Sequence, residues 1–221
     1  MKTRIITITL LILTIAFAAS AQDQSVSNME LEKGLPFHSV NLTLGYYSPE
    51  MAYWNDTYLP AKGITETFDG NVVFGANLTF LLPADLRARV GGSYWSGKVN
   101  GTAASSIDAL KIGFTRFNLG LLYAPEKIAF AGFQPYLGIE GQVNLIKNTY
   151  DIDQTITNRS GHDMSFAPVL GIDRGFGKIN CAFEVKYLVG NYIQEESAEQ
   201  LLKHEVSMSG AEISFSIGYR F

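Results

Sequence analysis

The last eleven residues of the chain alternate strictly between apolar and polar side chains. Because a β-strand points successive side chains to opposite faces of its sheet, this pattern predicts a strand with one apolar and one polar face. The length matches the roughly 9–11 residues that cross a membrane as a tilted strand. The apolar face comprises Ala211, Ile213, Phe215, Ile217, Tyr219 and Phe221, and the polar face comprises Glu212, Ser214, Ser216, Gly218 and Arg220.

Seven further segments show the same alternation, and none after residue 22 is a continuous apolar run long enough for a spanning helix. They lie near 39–46, 72–82, 86–94, 108–123, 137–145, 165–173 and 179–189. Eight alternating strands suit a closed up-and-down barrel. We therefore predict an all-β fold, namely a closed antiparallel transmembrane β-barrel of eight strands.

Two irregularities interrupt this pattern. In the fourth segment the apolar parity changes between Phe114 and Phe117, which we interpret as a β-bulge. In the sixth segment Pro168 is unfavourable in a central strand, because proline has no backbone N–H to donate to a neighbouring strand.

The connections alternate in length, as in outer-membrane barrels with short periplasmic turns and long outer loops. Short turns are predicted near 83–85 and 174–178, and longer loops over 48–69, 97–106, 147–163 and 190–209. The connection 124–132 fits this rule least well. In the last loop, Ser197 followed by Glu199 and Gln200 resembles a capping box and predicts a short helix up to Lys203.

The N-terminus has the features of an export signal. Lys2 and Arg4 precede an apolar stretch over 5–17, and the small residues Ala19-Ser20-Ala21 follow. We predict a signal peptide over 1–21 with cleavage before Gln22, a short periplasmic segment over 22–36 and a barrel over 37–221. The alternative is an N-terminal membrane anchor, but the apolar stretch is shorter than a spanning helix.

Composition narrows the possible functions. The chain has 47% hydrophobic and 17% charged residues. This composition is too apolar for a disordered chain and too polar for a helical membrane protein. Its net charge of −4 disfavours phosphate-backbone binding, so we expect no nucleic-acid partner.

Charged residues fall on the strand faces opposite the apolar ones. This distribution favours a membrane barrel with a polar interior over a soluble barrel with a greasy one. We predict an interior network of paired charges, since unpaired buried charges are very costly. The alternatives are a gated ion path or a catalytic carboxylate pair. The predicted network comprises Arg87, Arg89, Glu140, Glu184, Lys186, Glu212 and Arg220.

Two motifs resemble a known family. Gly218, Tyr219 and the terminal Phe221 resemble the C-terminal signature that the outer-membrane assembly machinery reads, and the segment 135–141, Pro-Tyr-Leu-Gly-Ile-Glu-Gly, resembles a recurrent strand of small OmpA/OmpX/opacity-type barrel domains. The resemblance covers residues 37–221. It implies eight strands, both termini in the periplasm, variable outer loops, and an outer-membrane location in a Gram-negative bacterium. The implied partners are outer-membrane lipid, lipopolysaccharide and the barrel assembly machinery.

The sequence gives little sign of catalysis, and we predict no catalytic site, cofactor or metal. The three His residues are far apart, and Cys181 is the single cysteine. We interpret Asp151 and Asp153 as solvated loop acids rather than a cation site. A lipid A-modifying enzyme, using His204 with Ser207 or Ser209, ranks third among the possible functions because nothing orients His204.

The first long loop is rich in amphipathic aromatic residues, which suit both headgroup-level belts and binding surfaces. Tyr53, Trp54 and Tyr58 are the candidate contacts with an unknown surface ligand, and an interfacial girdle with a self-packed loop is the alternative. We predict a structural or surface-interaction protein that acts through its outer loops, with a narrow pore as the alternative.

Overall fold

A computed structural model of the chain describes residues 37–102, 105, 107–152, 154–195 and 203–221. Its strands are β1 (Phe37–Pro49), β2 (Asn71–Leu81), β3 (Leu86–Asn100), β4 (Ala109–Tyr123), β5 (Phe133–Ile152), β6 (Thr155–Phe176), β7 (Ile179–Leu188), β8 (Asn191–Glu195), β9 (Lys203–Ser207) and β10 (Gly210–Arg220). Short helical segments cover Tyr53–Tyr58, Leu59–Ala61 and Glu126–Ile128. No helix among the described residues is both long and apolar enough to span a membrane.

Eight of these strands form a closed antiparallel barrel in the spatial order β1, β10, β7, β6, β5, β4, β3, β2. The barrel closes where β1 pairs with β10 on one side and with β2 on the other, with Leu42 opposite Ile217 and Ala76. Closure leaves no unpaired sheet edge in the barrel wall, as a hydrocarbon environment requires. The predicted all-β, eight-stranded closed barrel is confirmed.

The outer surface of the barrel is a belt of exposed apolar side chains. Leu42 and Ile139 each keep 65% of their surface exposed, although large aliphatic residues are normally buried in a soluble protein. Aromatic rings gather at the end of the barrel that carries both the first and the last barrel residues, where Phe37 contacts Phe80 and Phe221. The apolar belt with aromatic residues at its margin is the lipid-facing surface of a membrane barrel.

The predicted β-bulge in β4 is wrong. The register of β4 with β3 and β5 is unbroken from Ala109 to Tyr123. Phe114 points into the barrel together with Arg116, while Phe117 points to lipid. The apolar parity changes because the inward face itself turns from polar to apolar towards the outer end of the barrel.

The predicted long loop over 147–163 is also wrong. β5 continues to Ile152 and β6 begins at Thr155, so these two strands form one tall hairpin that extends beyond the membrane. Alternation is weak in this part of β6 because nearly all of its side chains are exposed.

The last long loop contains the two-stranded hairpin of β8 and β9. The predicted helix over 197–203 falls mostly on residues 196–202, which lie outside the described part of the chain. Its last residue, Lys203, begins strand β9, so the helical prediction is wrong at that position.

Pro168 interrupts the pairing of β6 with β7. The register resumes beyond it, because Phe166 and Val189 exchange hydrogen bonds of 2.8 and 3.0 Å in line with Val169 opposite Lys186. The interruption is therefore local and follows from the missing N–H of proline.

Candidate functional site: the filled lumen and the loop face

A layer of ion pairs crosses the middle of the lumen. Arg89 contacts both Glu140 and Glu184, the latter with Nη1 2.6 Å from Oε2. Lys186 Nζ lies 3.0 Å from Glu140 Oε2 and 3.0 Å from Glu184 Oε1. Each of these acids therefore has two cationic partners, which compensates the cost of burying its charge.

Two further clusters extend this network. Glu212 joins it through Lys186, whose Nζ lies 3.9 Å from Glu212 Oε1, and brings in Arg116, whose Nη1 lies 2.6 Å from Glu212 Oε2. Towards the periplasmic end, Asp173 contacts Arg87, and Arg220 Nη2 lies 3.9 Å from Asp173 Oδ1. The seven predicted network residues thus lie in the lumen, in two groups.

The structure adds four residues to the predicted network, namely Arg116, Asp173, Tyr136 and His38. Tyr136 donates a 3.0 Å hydrogen bond to Glu184 Oε2, and His38 Nε2 lies 3.4 Å from Arg220 Nη2. Arg116 has the parity of the inward face of β4, but the assumed bulge obscured that face. Asp173 lies on the polar face of its strand, so alternation was the signal that could have found it.

The outer end of the lumen is closed by an apolar plug, defined here as the buried cluster that the first and last loops form with the barrel wall. Trp54 and Leu59 of the first loop, Trp95 of β3 and Tyr192 of β8 are fully or almost fully buried in it. Trp95 stacks on Phe114 with ring centroids 5.2 Å apart. Such packing excludes water from this end of the lumen.

The plug and the ion-pair layer are in direct contact. The Arg116 guanidinium carbon lies 4.1 Å from the centre of the Tyr47 ring, a cation–π distance. The Tyr47 hydroxyl in turn donates a hydrogen bond to the backbone carbonyl of Met208, just beyond β9. The innermost residues of the plug therefore pack directly against the ion-pair layer.

The three aromatic residues proposed as loop contacts belong to the plug or its margin. Trp54 is completely buried, and Tyr53 and Tyr58 are partly buried against the same cluster. The Trp54 ring lies 4.9 Å from the Tyr58 ring and 5.4 Å from the Tyr53 ring. Trp54 therefore has no free surface for an external ligand, whereas the two tyrosines keep part of theirs.

Tyr192 is held at the centre of the plug. Its hydroxyl accepts a 2.7 Å hydrogen bond from Trp54 Nε1, and burial raises the pKa of Tyr192 well above its ordinary value. The phenol therefore stays neutral in this apolar environment.

The periplasmic end of the lumen remains open. It holds a cavity of about 530 Å³, with His38, Arg87, Asp173 and Arg220 on its inner side and the periplasmic turns at its rim. A smaller space of about 20 Å³ next to Arg89 and Asn180 is large enough for about one water molecule. The lumen thus narrows from an open vestibule to fully buried side chains.

The C-terminal residues occupy the seam where the barrel closes. A side chain at Gly218 would meet the Val40 carbonyl oxygen at 2.0 Å, so only glycine fits there. The backbone N–H of Phe221 donates a 3.0 Å hydrogen bond to the His38 carbonyl. The Phe221 ring lies 4.7 Å from that of Phe37 and 5.0 Å from that of Tyr219.

The residues considered for catalysis lie at the outer end of the barrel. Ser207 Oγ donates a 2.8 Å hydrogen bond to Glu50, and Ser209 Oγ interacts with the Gly190 backbone. The backbone of His204 lies in β9, opposite Gln194, and its side chain is outside the described part. Asp151 is the penultimate residue of β5, and Asp153 lies outside the described residues. Within the described ranges, no group of acidic, His or Cys side chains is arranged to hold a metal.

This architecture defines a class, the small eight-stranded barrels of outer membranes, and solved structures share the fold. The outer membrane protein OprG from Pseudomonas aeruginosa matches with a TM-score of 0.59 at 14% identity, over 85% of this chain and 97% of that one. A major outer membrane protein from Thermus thermophilus matches with a TM-score of 0.50 at 9% identity, over 83% of this chain and all of that one. No family model and no curated protein matches the sequence. The fold and the lipid-facing belt together locate the chain in an outer membrane.

Proposed function

We propose that this protein is a non-conducting outer-membrane barrel that presents its loops as a contact surface at the cell exterior. The observation that carries the proposal is the double closure of the lumen. Glu140 and Arg116 in the ion-pair layer are at most 2% exposed, and Trp54 and Trp95 in the plug are not exposed at all. A route for ions would need both layers to move.

The exposed loop residues support a contact role. Ile156 in the tall hairpin and Ile193 in β8 keep 65% and 60% of their surface exposed, and both lie beyond the lipid-facing belt. Single exposed apolar residues are common on protein surfaces, so it is the position of these two, on the outer hairpins, that makes them candidate contacts. These isoleucines replace Trp54 as the candidate contacts.

The narrow pore is the second candidate, and the periplasmic vestibule of about 530 Å³ is the feature that favours it. The vestibule would be the inner mouth of a channel whose outer gate is the plug. An enzyme ranks third, since the Ser207 hydroxyl donates to the Glu50 carboxylate and not to the histidine that the enzyme hypothesis pairs it with.

The contact role can be tested by photo-crosslinking on intact cells. A crosslinking amino acid placed at Ile156 or Ile193 should give a discrete, reproducible adduct, and the same residue at Lys127, on the exposed periplasmic turn, should not give that adduct. If neither outer position forms an adduct under conditions that crosslink a known surface protein, the contact role is wrong.

A further inference from the structure

Three lysines form a compact group on the outer surface of the tall wall built by β3, β4 and β5. Lys98 lies directly opposite Lys111 in the β3–β4 register. Lys147 is diagonal to Lys111, because Lys111 pairs with Thr149 and Gly113 pairs with Lys147. Opposite residues have Cβ atoms about 5 Å apart and diagonal residues about 7–8 Å apart, so the three ammonium groups can reach one anion.

All three side chains are exposed and point away from the lumen, since their neighbours Val99, Leu110, Ile112 and Ile146 are buried inside it. None of the three forms an ion pair with a described residue. Like charges placed directly opposite on adjacent strands destabilise a sheet. An anion bound by all three lysines would relieve this repulsion.

The height of the three lysines along the barrel axis indicates which anion they can bind. Lys111 lies twelve residues from Tyr123, the periplasmic end of β4. At about 3.3 Å per residue and a strand tilt of about 40°, this is roughly 30 Å along the barrel axis, just beyond the apolar band of about 25 Å. The lysines are thus level with the headgroups of the outer leaflet.

The three lysines lie on one side of the barrel. On the opposite wall, the acid Glu50 follows the outer end of β1 and accepts a 3.1 Å hydrogen bond from Tyr187. The acids of the lysine wall lie farther from the membrane than the lysines. Glu66 accepts a 2.6 Å hydrogen bond from the backbone N–H of Asn100, two residues beyond Lys98. Asp108 lies three residues beyond Lys111, and Asp151 lies four residues beyond Lys147. An anionic lipid is therefore attracted to one wall and repelled by the other.

We infer that Lys98, Lys111 and Lys147 form a binding site for the phosphate groups of lipid A in the outer leaflet. Ammonium groups form charge-assisted hydrogen bonds with phosphate oxygens, and the tall hairpin of β5 and β6 offers a wall beside the attached sugar chain. The site is independent of the plug and of the loop contacts proposed above.

The test uses the full-length mature protein in detergent, titrated with bisphosphorylated lipid A, with dephosphorylated lipid A and with inorganic phosphate. The variant K98Q/K111Q/K147Q should bind bisphosphorylated lipid A roughly a hundredfold more weakly than wild type, since each lysine near an anionic lipid surface contributes a factor of about five. The control K62Q/K127Q/K178Q removes the same charge elsewhere and should bind like wild type.

Stability in lipid-free detergent separates loss of the site from loss of the fold. The K98Q/K111Q/K147Q variant should unfold at the same temperature as wild type or higher, because a repulsion is removed, and it should gain less stability on adding lipid A. Equal binding by this variant and wild type, or equal binding of dephosphorylated lipid A, would overturn the inference. Binding of inorganic phosphate as tight as that of the lipid would assign the group to free phosphate and overturn the lipid site.

Discussion

Trp54 Nε1 donates a 2.7 Å hydrogen bond to the hydroxyl of Tyr192, and this contact joins the first extracellular loop to the hairpin of the last one. The two residues are separated by 138 positions in the chain, and both are buried in the plug. The loops at opposite ends of the sequence therefore close the outer mouth of the barrel together.

The Trp54→Ala variant should loosen the plug. Replacing a buried Trp by Ala costs about 3–5 kcal/mol. Tyr192→Phe keeps the ring and removes only its hydrogen bonds with Trp54 and Asn148, which leaves buried polar atoms unpaired at a cost of about 1–3 kcal/mol. Limited proteolysis of the assembled barrel should therefore cut the outer loops of Trp54→Ala much faster than those of Tyr192→Phe. Equal cleavage rates in the wild type and in Trp54→Ala would show that the plug does not order the loops.

The ion-pair layer should be sensitive to the loss of one charge. Glu140→Gln leaves Arg89 and Lys186 with one carboxylate fewer, and breaking a buried pair costs about 3–5 kcal/mol. Glu126→Gln, on the exposed periplasmic turn, should change the free energy of unfolding by no more than about 0.5 kcal/mol. Denaturant unfolding in detergent micelles measures both values, and a Glu140→Gln variant as stable as wild type would remove the structural role of the layer.

Lipid exposure should alternate along β7. In a Cys181→Ala background, single cysteines at Phe183 and Val185 should react with a lipid-soluble probe, and one at Glu184 should not. Phe183 and Val185 are 48% and 40% exposed, whereas Glu184 is 3% exposed. The opposite pattern of labelling would mean that the polar face is the outer one.

Phe221 should matter more for assembly than its packing alone explains. Its ring and its N–H complete the seam with β1, and it resembles the end of the assembly signature. Phe221→Asp should strongly reduce the heat-modifiable folded band in the membrane fraction, while Phe221→Tyr is tolerated. Ile156→Asp, at an exposed hairpin position, is the matched control. Normal assembly of Phe221→Asp would contradict a role for this residue in recognition.

The sequence predicted the barrel well because each strand is governed by a local rule. The alternation arises because one face of each strand meets lipid. That face, to which Phe117 belongs, is apolar across the whole thickness of the membrane. The inward face obeys no single rule. At Phe114 and Arg116 it changes from apolar to polar within two residues, and alternation alone does not distinguish that change from a bulge.

The plug could not be predicted from the sequence for a different reason. Whether Trp54 packs inward or meets a partner depends on Tyr192 and Trp95, which only the closed barrel brings near it. The charge network was predictable in part, less fully than the barrel but better than the plug. Burial forces its members to pair, so their presence in the lumen follows from their parity, but the partner of each charge, such as Arg116 with Glu212, depends on the three-dimensional arrangement.

Electrical conductance tests the central claim, the closed lumen, most directly. Purified wild-type protein reconstituted in planar lipid bilayers at neutral pH should show no steady conductance above that of the bare membrane, with an open porin as the positive control. This result is expected because the ion-pair layer and the plug both contain fully buried side chains that cross the lumen. Reproducible, long-lived channels formed by the wild-type barrel would contradict the account and make the narrow pore its function.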